Sequence, residues 1–134
     1  MKITSTSAVR IAAFLGLTGV GLGAFGAHGL HDILDKNGRL EVWDTAVLYQ
    51  FVHALAILTL SGLTGGFFRP AIVWCWTLGA LIFSGSLYAL ALTNIGVLGA
   101  ITPIGGVLFL TGWGMLLFTP HRPKADTDTD TPAG

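Results

Sequence analysis

PAIVWCWTLGALIFSGSLYALALTNIGVLGAITPIGGVLFLTGWGMLLFTP, residues 70–120, runs for 51 positions without an Asp, Glu, Lys, Arg or His. A domain of 134 residues has no aqueous-phase interior large enough to hide such a stretch. As one helix it would extend about 76 Å, more than twice a bilayer hydrocarbon core of about 30 Å, so it must cross, turn and return. Thr93-Asn94-Ile95-Gly96 is the readable turn, because Asn and Gly interrupt an otherwise apolar run. The expected unit is a helical hairpin in a membrane.

Composition points the same way. Hydrophobic residues make up 52% of the chain, charged residues 10%, and the formal net charge is zero; mean hydropathy is +0.72. Neither a basic footprint for nucleic acid nor an acidic groove is visible. The single cysteine, Cys75, cannot form an internal disulfide, and no Cys/His spacing suggests a metal site.

Runs of about 20 apolar residues give four spans: Val9–His28, Asp44–Leu63, Ala71–Thr93 and Val97–Phe118. Only helices satisfy their own backbone bonds at that depth, so the expected fold is an all-α integral membrane four-helix bundle. Lys2 and Arg10 before the apolar run Ile11–Ala27 also describe a secretory signal. The run is 17 residues long, however, against about 7–15 for a signal core, and reads as a retained span.

Between the first two spans, Leu30, Ile33 and Leu34 suit one turn of a short amphipathic helix at the interface, interrupted at Asn37-Gly38. Asp44 is then placed to cap the second span, with Trp43 at headgroup depth. One domain is expected over residues 1–119. Residues 120–134, with the Asp-Thr repeat, read as a disordered acidic tail.

Four spans put both termini on one side, together with Lys2, Arg10, Arg69, Arg122 and Lys124, against Lys36 and Arg39 opposite. The excess favours cytoplasmic termini.

Two groups of residues stand out inside the spans. Gly19, Gly23 and Ala27 form a small-residue series that allows close helix approach, and Gly105-Gly106 offers the same in the fourth span. Internal packing is the expected use. The second group is polar: Tyr49, Gln50 and His53 in the second span, Ser84, Ser86 and Tyr88 in the third, Thr102 in the fourth, and His28 at the end of the first. Intramembrane polar groups face the bundle interior and need partners, so Gln50 and His53 are expected to meet the third or fourth span. Pro103 removes a backbone donor, and a kink or loosened turn is expected there. No carboxylate lies deep in any span, which leaves a proton-coupled exporter without its usual acid. No nucleophile and base stand at a recognisable spacing, so an enzyme is not expected, and neither a cofactor nor a catalytic or metal residue is assigned.

Four motifs in order, Gly23-Ala24-Phe25-Gly26-Ala27-His28, Tyr49-Gln50-x-x-His53-Ala54-Leu55-Ala56, Phe83-Ser84-Gly85-Ser86-Leu87-Tyr88 and Thr102-Pro103-x-Gly105-Gly106, resemble the domain-of-unknown-function 423 family. These are small bacterial inner-membrane proteins related to the transmembrane protein 256 group of animals. The resemblance covers about residues 8–118. It implies a four-helix membrane protein and carries no established activity.

The functional expectation is a non-enzymatic accessory, scaffold or lipid-associated protein, with the bilayer, a larger membrane complex or a second copy as partner and no nucleic acid. A small-solute transporter or channel is the alternative, and a haem or quinone protein using His28 and His53 a further one. The topology is directly testable. Single cysteines at Gly38 and Thr127, in a Cys75→Ala background, should react with an impermeant thiol reagent from opposite sides of the membrane. Labelling from one side would remove the four-span arrangement.

Overall fold

A computed structural model describes residues 4–63 and 67–120. Of the expected tail at 120–134, residues 121–134 lie outside the described residues. The elements are α1 (Ser5–Ala27), α2 (His31–Lys36), α3 (Leu40–Gly62), α4 (Pro70–Thr93) and α5 (Thr102–Leu117), with a 3-10 turn at Gly96–Ala100 before α5. The described residues contain no strand. Four segments are long and apolar enough to cross a membrane, of 23, 23, 24 and 22 residues, the last taking in the 3-10 turn.

Helix ends follow local chemistry. Thr4 caps α1, its hydroxyl accepting from the Ser7 N–H at 3.2 Å. Pro70 opens α4 in the first turn, where a missing N–H is harmless. Asn94 ends α4 in the left-handed region, φ 55°, and its N–H returns to Leu90 O. Its side chain accepts from Arg39 Nε at 3.0 Å. Asn37 donates to Ala91 O and Leu92 O, at 2.9 and 3.2 Å, satisfying two carbonyls that the end of α4 leaves open. The α2 segment thus acts as a clasp on the end of α4.

Three sequence expectations shift here. Asp44 does not cap the second span: Gly38, at φ 63°, makes the turn that lets α3 begin at Leu40, and Asp44 sits exposed inside the helix. Trp43 does not present its ring on the outer surface of the bundle: it is 1% exposed, its indole donating inward to Leu22 O at 3.0 Å. The fourth span is not a kinked continuous helix. Residues 96–100 are 3-10, and the α-helix starts afresh at Thr102 with Pro103 in its first turn, the position where proline is tolerated.

The long helices pack in chain order, α1 on α3, α3 on α4 and α4 on α5. Each outer pair is joined by two glycines seven residues apart. On α1, a Cβ at Gly26 would collide with the Trp43 indole, and one at Gly19 would lie 3.1 Å from the Phe51 ring. On α5, a Cβ at Gly112 would collide with the Trp76 indole, and one at Gly105 would lie 2.5 Å from the Phe83 backbone nitrogen. Aromatic residues of the central helices therefore seat directly on glycine backbone in both pairs.

The expected series Gly19, Gly23, Ala27 needs correction at its end, because Ala27 is exposed and Gly26 takes its place in the seam. Seven residues bring a helix nearly back into register, about 20° short, whereas eight overshoot by about 80°. Gly23 is only half-buried, with a Cβ position 3.5 Å from Val47; at Gly106 the nearest atoms, of Phe83, are 4.0 Å away.

Gly105→Ala is expected to destabilise the purified protein by about 1–3 kcal/mol, since its Cβ meets the Phe83 backbone and the helices must separate. Gly16→Ala, with open space at its Cβ, is the matched control and should leave the thermal midpoint in detergent unchanged or raised. Equal midpoints for the two variants would contradict the close α4–α5 seam.

Candidate functional site

Gln50 stands at the junction of three helices. Its amide nitrogen donates to Leu15 O at 2.8 Å and to Thr18 Oγ1 at 2.9 Å on α1, and its Oε1 accepts from the Tyr88 hydroxyl of α4 at 3.0 Å. Thr18 passes its own proton to Phe14 O at 2.8 Å. The contact with Leu15 O depends on Gly19, the residue four positions on, where a Cβ would come within 3.4 Å of the Gln50 nitrogen. Trp43 uses Leu22 O above Gly26 in the same manner. Glycine at i+4 uncovers the carbonyl at i, which retains a lone pair for a second donor.

His53, 3% exposed, lies one turn further along α3. Its Nε2 is 3.1 Å from the Trp113 indole nitrogen of α5. An indole N–H only donates, so Nε2 accepts, and the ring proton sits on Nδ1, which donates to Tyr49 O at 2.8 Å. The imidazole is therefore neutral with both nitrogens occupied. It stacks on Phe109, ring centroids 3.5 Å apart and planes within 8°. Phe109 in turn lies over Gly79, where a Cβ would approach its ring to 2.6 Å.

The remaining polar residues divide. Ser84 donates to Ala46 O at 2.8 Å and ties α4 to α3. Ser86 and Thr102 share a hydrogen bond of 2.8 Å between α4 and the start of α5. His28 does not join them. It is exposed beyond the end of α1, and since Gly26 lies level with Trp43, His53 is about ten residues of α3, roughly 15 Å, deeper. The two histidines do not converge, so a haem held between them has no basis in this geometry.

Beside His53 a groove of about 390 Å³ opens between α3, α4 and α5, lined by Tyr49, Phe83, Pro103, Gly106, Phe109 and Trp113 among others. Tyr49 is 40% exposed, and its ring packs at 4.6 Å on Phe83 and 6.0 Å on Phe109. Among the described residues its hydroxyl has no hydrogen-bond partner.

The family model described as "Protein of unknown function (DUF423)" matches residues 22–106, which include Gln50, His53 and most of the groove. The chain belongs to the DUF423 family. A UPF0382 membrane protein of Staphylococcus saprophyticus is 48% identical over 112 residues, covering 81% of this chain and 92% of that protein. UPF0382 membrane protein YwdK of Bacillus subtilis is 45% identical, covering 81% and 91%, and a UPF0382 membrane protein of Haemophilus influenzae is 44% identical, covering 87% and 95%. No solved structure matches the chain.

In this DUF423 protein, sequence reasoning misses Thr18 and gives Trp113, noted beside Gly112, no polar role. Thr18 sits one position before Gly19, and a polar residue beside a packing glycine was the available signal for a donor-acceptor contact. Trp113 follows Gly112 and reads as packing, and only the fold reveals that its N–H closes on His53.

Gln50→Leu should destabilise the protein by about 1–3 kcal/mol by leaving the Tyr88 and Thr18 hydroxyls without their partner. Tyr88→Phe should cost less. The double variant should fall short of the sum of the two by at least about 0.5 kcal/mol in detergent unfolding, the sign of direct coupling. Strict additivity would refute the bond.

Proposed function

We propose that this protein is a non-enzymatic, lipid-associated protein of the bacterial cell membrane, with both termini cytoplasmic, and that it holds an apolar membrane molecule in the groove between α3, α4 and α5. The observation that carries this reading is the groove itself. At about 390 Å³ it falls in the range of about 300–1,000 Å³ typical of small-molecule sites, and its lining is aromatic and aliphatic. The seams around it are closed by glycine and aromatic contacts, so the opening is not a general looseness of packing. Its exposed lining includes Val107 and Leu110, 61% and 73% accessible, residues suited to lipid contact.

A proton-coupled carrier is disfavoured by the same chemistry. Below Asp44 on α3, and from Pro70 to the end of α5, the spans hold no carboxylate. Gln50, Ser84 and Ser86 spend their hydrogen bonds on neighbouring helices and not on a path between them.

The test compares retained lipids. Wild-type protein purified in mild detergent should carry an apolar molecule, detected by solvent extraction and mass spectrometry, at several-fold higher occupancy than Gly106→Leu. That substitution projects a side chain from a position with room at its Cβ. Identical extracts from the two folded proteins would defeat the reading.

A further inference from the structure

We propose that the occupant of this groove is an isoprenoid quinone, its head ring lying on the Tyr49, Phe83 and Phe109 side chains with one ring oxygen accepting from the Tyr49 hydroxyl. The inference rests on the lipid-associated reading above and names the ligand class for the same site.

The argument is one of chemical complement. Donors near the groove are used inside the protein: the Trp113 N–H goes to His53 Nε2, and His53 Nδ1–H goes to Tyr49 O. The Tyr49 O–H is different. It is the one lining side-chain donor without a partner among the described residues. In hydrocarbon an unpaired hydroxyl is unfavourable by several kcal/mol, about 4–8 on a cyclohexane scale, so an occupant with an acceptor oxygen is favoured over a plain alkyl chain. The Tyr49 ring packs over α4 and α5, on Phe83 at 4.6 Å and on Phe109 at 6.0 Å.

The lining restricts the class further. No charged side chain borders the groove, so a fatty-acid carboxylate or a phospholipid headgroup would find no counter-charge. Phe83 and Phe109 pack on each other, centroids 5.5 Å apart, and with Tyr49 present an aromatic surface on which a flat ring can lie. Lateral access from the bilayer past Val107 and Leu110 leaves room for a long apolar tail to remain in lipid. A planar, uncharged ring with carbonyl oxygens and an apolar tail is a quinone.

The experiment uses the full chain in detergent with two probes, decylubiquinone and dodecylbenzene, the second having a flat ring and tail but no oxygen. Binding is measured by isothermal titration calorimetry. Decylubiquinone should bind wild type, and Tyr49→Phe should weaken it about tenfold, the effect of one hydrogen bond to an otherwise unpaired group. Dodecylbenzene should bind more weakly and be indifferent to Tyr49→Phe. Gly106→Leu should abolish binding of both, with Val107→Phe as a second groove-filling variant if Gly106→Leu unfolds. Equal affinity for the two probes, with no effect of Tyr49→Phe, overturns the quinone assignment and leaves the groove as a hydrocarbon site. No binding of either probe, together with identical lipid extracts from wild type and groove-filled variants, overturns both readings.

Discussion

Within hydrocarbon a polar side chain has no water to fall back on, and the amide of Gln50 is the group whose needs organise this molecule. It has two hydrogens to place and an oxygen to satisfy, and it takes partners from α1 and from α4. Meeting them sets the rotation of α3, brings the Leu15 carbonyl within reach, and requires that Gly19 carry no side chain. Polar pairing and small-residue packing are thus one device here: the glycine that lets the helices touch is the one that uncovers the acceptor.

The two halves of the fold share the glycine seats, in mirror order along the chain. Glycines precede their aromatic partners in the α1–α3 pair, at 19 and 26 against Phe51 and Trp43, and follow them in the α4–α5 pair, at 105 and 112 against Phe83 and Trp76. At these four seats the central helices supply the bulky residues and the outer helices the gaps, and Gly79 on α4, which seats Phe109 of α5, is the reverse case. The match is incomplete at one point: Trp43 donates to Leu22 O, whereas the Trp76 Nε1 is buried with no partner among the described residues. Trp76 accordingly gains packing from its seat on Gly112 and no hydrogen bond, so the α4–α5 seam relies more heavily on shape.

Much of the architecture is legible in the chain because charge is forbidden where lipid is, and a run of 51 uncharged residues leaves few alternatives. Rotation about each helix axis is less legible. Residues facing lipid are as apolar as those facing the core: Leu17 at 74% exposure and Leu15 at 4% are chemically the same. Small and polar residues carry the orientation signal instead, and they point correctly where spacing is unambiguous, as at Gly19, Gln50 and Gly105. They mislead at Ala27, because two turns of helix return the seam after seven residues, at Gly26, and not after eight. The groove is legible only at Pro103 and Gly106, where a proline and glycines mark a loosened stretch of the fourth span; its Tyr49, Phe83 and Phe109 side appears only in the fold.

The distribution of partners around His53 bears on how the protein enters the membrane. Helices are delivered to the bilayer in chain order. Gln50 finds acceptors for its amide nitrogen, Leu15 O and Thr18, on a helix that has already been delivered, and its oxygen waits only for Tyr88 on the next helix. His53 has only a backbone contact within its own helix until the last span arrives with Trp113. A nascent chain halted after α4 would leave that imidazole nitrogen without its donor, so the polar pairing of α3 closes only with the last helix to arrive.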